Sequence, residues 1–97
     1  MAETIDEITV NYEEGGVLLV KEIDKEILTR GAWTTILFRY QDFDEKIDDY
    51  GPDRYIIRRY RKTGGVFRPQ SKFRISNAKQ ARQVVDALNR WLEDPKE

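Results

Sequence analysis

Apolar and polar residues alternate most regularly between Trp33 and Phe43, where one set reads Thr34, Ile36, Phe38, Tyr40 and the other Trp33, Thr35, Leu37, Arg39, Gln41. Successive strand side chains point to opposite sides, and β-branched and aromatic residues suit a pleated, half-buried surface, so this segment predicts a strand. Before it, the apolar run Val17 to Val20 continues more weakly to Leu28 and predicts a first strand within 17–29, joined on by Arg30-Gly31-Ala32. Arg54 to Lys62 and Val66 to Ile75 predict a third and a fourth strand. Thr63-Gly64-Gly65 between them is a hairpin turn, because glycine supplies the positive φ that such turns need. Pro69 cannot donate to a ladder, so the fourth strand lies at an edge or is bulged there. The period then changes. Ala81, Val84, Val85, Leu88, Trp91 and Leu92 recur at steps of three and four and predict an amphipathic helix. Asn77 with Gln80 resembles a capping box at its start, and Asp94-Pro95 stops it.

Strands joined by short turns, followed by one helix, predict an α+β fold: a four-stranded antiparallel sheet with a C-terminal amphipathic helix. One helix covers one face of such a sheet and leaves the other for water, a ligand or a second subunit. Ninety-seven residues make one domain with a thin core, a size often helped by oligomerisation. Residues 1–15 are acidic and end in Glu13-Glu14-Gly15-Gly16. They read as a mobile leader to a single domain over 16–94, although Ile5, Ile8, Val10 and Tyr12 can also pair as an edge strand.

The absence of cysteine removes disulfides and thiol nucleophiles, and the absence of histidine removes the commonest general base and transition-metal ligand. Asp42, Asp44, Glu45, Asp48 and Asp49 are the remaining acid–base candidates. They sit in a loop closed by Tyr50-Gly51-Pro52-Asp53 and read as a solvated acidic segment. The Gly-Gly pairs lack the spacing of a phosphate loop and read as turns. No enzyme, cofactor, metal or small-molecule substrate is expected. No apolar run approaches the ~20 residues of a membrane span, and the N-terminus is not a signal peptide, which gives an intracellular, non-membrane expectation.

Charge alters this picture more than composition does. From Arg54 to Arg82 there are ten Lys or Arg and no Asp or Glu, in a chain whose net charge is −1. Residues 1–29 sum to −6, 30–53 to −3 and 83–97 to −2, so the charge is sorted along the chain. Like charges on neighbouring strands repel, and keeping them together points to a polyanionic partner. Tyr55, Tyr60, Phe67 and Phe73 are interleaved with the cations, as suits unpaired nucleic acid, where bases stack and phosphates meet Arg or Lys. The helix is a poor duplex reader, since one face must pack and Lys79, Arg82 and Arg90 are mixed with Asp86, Glu93 and Asp94.

Ile57-Arg58-Arg59-Tyr60, a turn, and then Pro69-Gln70-Ser71-Lys72-Phe73-Arg74-Ile75-Ser76 leading into one helix resemble the single-stranded DNA-binding domain of the transcriptional coactivator family called positive cofactor four. Ile36 to Phe43 resembles that family's preceding strand, and the likeness spans roughly residues 20–92. The resemblance implies a dimer whose paired sheets form channels for single-stranded DNA. It places contacts on Arg39, Arg58 and Lys72, and a stacking aromatic on Phe43 or Tyr40. Three features depart from the family. Arg61 stands where the family has a tryptophan, Phe73-Arg74 replaces a single glycine, and the 44–53 loop is longer and acidic.

The expected function is sequence-tolerant binding of single-stranded DNA by a homodimer near transcription, replication or repair. Arg39, Arg58, Arg59, Arg61, Lys62, Arg68, Lys72 and Arg74 supply charge; Trp33, Tyr40, Phe43, Tyr60 and Phe67 are stacking candidates. A basic sheet that docks an acidic protein segment, and an RNA chaperone using the same surface, are the alternatives. If the acidic leader covers the basic surface in cis, its deletion tightens DNA binding at low salt.

Overall fold

The computed structural model describes residues 2–93. After a short 3₁₀ turn at Ile5–Glu7 come β1 (Tyr12–Glu14), β2 (Val17–Thr29), β3 (Trp33–Asp44), β4 (Asp49–Tyr50), β5 (Arg54–Thr63), β6 (Val66–Ile75) and α1 (Ala78–Leu92). The strands form one antiparallel sheet in the order β1-β2-β3-β5-β6, with β4 paired to the end of β3. The fold is therefore α+β, a curled antiparallel sheet with one C-terminal helix. The expected strands are β2, β3, β5 and β6, and the count of four is corrected to six. The two additions are only three and two residues long, too short to show a period of their own.

Both Gly-Gly pairs are turns. Gly15 and Gly16 have φ of 60° and 81°, Gly64 and Gly65 of 59° and 84°, and each pair joins strand residues directly opposite one another. These are the left-handed positions that a two-residue hairpin turn requires. At Pro69 both expected solutions occur together. β6 is an edge strand, and its register shifts so that Ser71 faces Arg59 and Pro69 faces Tyr60, leaving Gln70 as the extra residue of a bulge.

The alternation of β3 divides the sheet into two faces. Thr34, Ile36, Phe38 and Tyr40 of β3 share the inner face with Ile56 and Tyr60 of β5 and Phe67 of β6. Ile36 and Phe38 are wholly buried. What covers them is the N-terminal segment rather than the helix. Ile8 and Val10, only 3% and 7% exposed, pack on this cluster, with Ile5 and Ala2 beside them.

Hydrogen bonds fix the segment across the sheet. At one end the Phe67 N–H donates to the Ala2 carbonyl at 2.9 Å; at the other the Glu22 N–H donates to Asn11 Oδ1 at 2.7 Å. Between them Lys25 Nζ donates to the carbonyls of Asp6 and Ile8. The stretch read from sequence as a mobile leader thus lies in the structure as a strap. The physical reason is its apolar residues at positions 5, 8 and 10, which pack on the inner face of β3.

Helix α1 starts as the sequence implies. Asn77 Oδ1 accepts from the Gln80 N–H at 2.8 Å, while Gln80 Oε1 accepts from the N–H of Ser76, one residue earlier than a capping box would have it. The helix ends at Leu92 with Glu93 as its C-cap; the expected stop at Asp94-Pro95 lies outside the described residues. The helix does not lie over the sheet. It packs lightly against β6 and buries none of its residues, so Val85, Leu88, Trp91 and Leu92 are exposed. Among the described residues no helix is long and apolar enough to cross a membrane.

Truncating the strap's main anchor tests its structural role. Ile8→Ala is expected to destabilise the fold by about 2–5 kcal/mol, the range for emptying a buried aliphatic site, measured by urea unfolding. Removal of the whole segment would also uncover Phe38 and Tyr60, so a truncation reports on folding before it reports on ligand access.

Candidate nucleic-acid interface

The basic residues gather on the β5–β6 hairpin because both strands lie within the acid-free segment and pair along ten residues each. Strand alternation then sorts them. Arg58, Lys62, Lys72 and Arg74 share the inner face with Tyr40 and Tyr60, while Arg39, Phe43, Arg59, Arg61 and Arg68 share the outer face with Trp33. The expected site residues therefore form two groups on opposite sides of one sheet.

On the outer face, Trp33 lies opposite Arg61, which lies opposite Arg68, so one ladder row carries an indole and two guanidiniums. Trp33 is 43% exposed. The guanidinium carbon of Arg59 lies 4.7 Å from the centre of its ring and that of Arg61 lies 5.4 Å away. An indole face attracts cations, which offsets part of the repulsion between the two arginines. Arg68 Nε donates to Thr63 Oγ1 at 3.1 Å, which holds it along the hairpin end. This is a part-exposed indole with two planar cations over its ring, a cluster whose guanidiniums suit phosphates and whose ring suits a base when they move to those phosphates.

Farther along the same face the charge is balanced. Arg39 lies 4.0 Å from Asp24 and 3.8 Å from Asp53, whose other oxygen accepts from Gln41. Phe43 is half-buried, edge-on to Tyr50 with ring centres 5.5 Å apart. Tyr50 in turn donates to the Leu18 carbonyl at 2.8 Å and lies under Lys21. The acidic loop is thus folded back on β2 and β3 by β4 and Tyr50, a link that its charge pattern concealed.

On the inner face Arg58 lies opposite Lys72, and Arg74 lies opposite Ile56 one row on. Among the described residues none of Arg58, Lys72 and Arg74 has an ion-pair partner, whereas Arg54 pairs with Asp42 at 3.3 Å. Arg58 Nε and Tyr60 Oη are shielded from solvent and have no hydrogen-bond partner among the described residues. Lys62 Nζ lies 5.4 Å from the centre of the Phe67 ring.

The stacking candidates divide sharply. Tyr40, Tyr60 and Phe67 are core residues, at 8%, 4% and 6% exposure, and do not present an open ring. Their alternation with cations made them look exposed, but the same alternation puts them under the strap. Among these candidates Trp33 alone is exposed, with the guanidiniums of Arg59 and Arg61 over its ring. Sequence reasoning missed Thr9 and Asn11, which rise beside the inner cations; Tyr12 beside them, able by its sequence pattern to pair at an edge, begins the edge strand β1. Comparison of the chain with protein-family models, curated proteins and solved structures finds no match.

If Arg59 is held by the ring of Trp33, Arg59→Ala should lower stability by about 0.5–1 kcal/mol, the range for an exposed cation–π contact. The same change made in a Trp33→Leu background should cost less, and thermal unfolding of the four proteins measures the difference.

Proposed function

We propose that this chain binds single-stranded DNA with little sequence preference, as a homodimer that uses the two faces of its basic hairpin, in the manner of the coactivator family it resembles. The observation that carries the reading is the set of cations on β5 and β6 that have no ion-pair partner among the described residues: Arg58, Arg59, Arg61, Lys72 and Arg74. Such a field costs stability in the free protein and is relieved by a polyanion. Trp33 supports a strand over a bare polyanion, because an open indole adds nothing to phosphate binding but stacks a base. The curled sheet also fits a flexible single strand better than a straight duplex, whose major groove is usually entered by a helix or ribbon.

The exposed helix supports the dimer. Val85, Leu88, Trp91 and Leu92 make an apolar stripe that the chain's own sheet does not cover, and a second copy offers the same stripe in return. Pairing two copies through their helices leaves both hairpins open to a strand.

Fluorescence anisotropy with a labelled single strand and the matching duplex, across a salt series, tests the reading. Single-strand preference is expected, with log affinity falling linearly with log salt by ~0.7 per phosphate neutralised. Lys72→Ala should reduce that slope by about one such unit. Equal binding of duplex, or no binding at low salt, would remove the proposal and favour an acidic protein segment as the partner. For the dimer, Leu88→Asp is expected to give a folded monomer by light scattering, with the unmodified chain at twice that mass.

A further inference from the structure

Where the strap passes from the inner face to its pairing with β2, between Thr9 and Tyr12, it forms one wall of a cleft of ≈ 300 Å³. Val10, Val20, Ile56 and Tyr40, all largely buried, give it an apolar side. Arg58 and Arg74 stand on β5 and β6, Asp42 on β3, and Asn11 and Tyr12 on the strap. The cleft therefore combines a flat apolar lining, two cations, a carboxylate and an amide.

That combination selects among ligands. A purely anionic segment would meet repulsion from Asp42, and a purely apolar one would leave the Arg58 and Arg74 guanidiniums without partners. A nucleotide satisfies all of them, since its phosphate suits the guanidiniums, its ring the apolar lining, and its edge the carboxylate and the amide. Arg58 Nε, buried and without a partner among the described residues, is a donor that such a phosphate would engage.

We propose that this cleft seats one nucleotide of the bound strand, with its phosphate on Arg58 and Arg74, and that Asp42 and Asn11 give the seat a preference for cytosine over thymine. Asn11 Oδ1 already accepts from the Glu22 N–H at 2.7 Å, so its amide faces a ligand as a donor through Nδ2. Asp42 offers only acceptors. Cytosine presents an amino donor beside ring acceptors, the complement of a carboxylate next to an amide donor. Thymine presents a carbonyl oxygen where cytosine has the amino group, and a carboxylate repels it. The preference applies to one position of the strand, so it coexists with sequence tolerance elsewhere. It rests on the single-strand reading above and goes beyond it by naming a base and the residues that choose it.

The test compares oligo-dC with oligo-dT of about 20 nucleotides, longer than the ~4–16 that one such domain occupies. A slightly alkaline pH keeps cytosine unprotonated. Oligo-dC is expected to bind more tightly by about threefold to tenfold, the worth of one or two hydrogen bonds. Asp42→Asn should bring the ratio towards one; because Asp42 also pairs with Arg54, both affinities shift together and the ratio is the readout. Unfolding curves confirm that the variant is folded. Tight binding of both oligomers at a ratio near one, or a preference for oligo-dT, or a dC preference that Asp42→Asn leaves intact, would overturn the seat while leaving single-strand binding in place. Failure of both oligomers to bind would overturn both. Tight dCMP binding without oligo-dC binding would assign the cleft to a free nucleotide and likewise overturn it.

Discussion

Ile36 and Phe38 stand at the centre of β3 and are fully excluded from water, so the fold depends on what lies over them. A curled sheet cannot bury its own inner face, and each large apolar side chain left open would forgo about 1.5–3 kcal/mol. The helix is the obvious cover by composition, but it packs only lightly on the edge strand β6 and buries none of its residues. The strap does the work instead, with Ile8 and Val10 over β3 and hydrogen bonds to β2 at Lys25 and Glu22 and to β6 at Phe67. An acidic segment is thereby held beside basic strands by its apolar residues, and its charges need no ion pair to keep it there.

The rest of the architecture follows from that choice of cover. Because the strap occupies the inner face near the hairpin end, Tyr60 and Phe67 become core, and the inner cations are open to solvent only where the strap turns away. Because the helix is not used on the sheet, its apolar stripe is left for another surface. At the Trp33 end the outer face is exposed, and there its aromatic and basic residues organise around one another, with Arg59 and Arg61 on Trp33. In the proposed function these three outcomes become an outer stacking platform, an inner phosphate-binding cleft and a means of dimerisation.

Residue patterns alone determined the long strands, both glycine turns, an edge or a bulge at Pro69 and the capped start of the helix. These are local properties: a period of two, a positive φ, a missing N–H and a side chain that reaches its own backbone. The sorting of charge was equally legible, since an acid-free run on a hairpin brings its cations together wherever the hairpin lies. Tertiary structure alone decided which element covers the core. Apolar residues at 5, 8 and 10 and the stripe from Ala81 to Leu92 are both able to pack on a sheet, and the choice between them turns on where each chain segment can reach. That choice also decided which aromatics are open. Strand alternation puts Tyr40 and Tyr60 on one face and Trp33 on the other, and the position of the strap decides that the first face is the core and the second is exposed at Trp33.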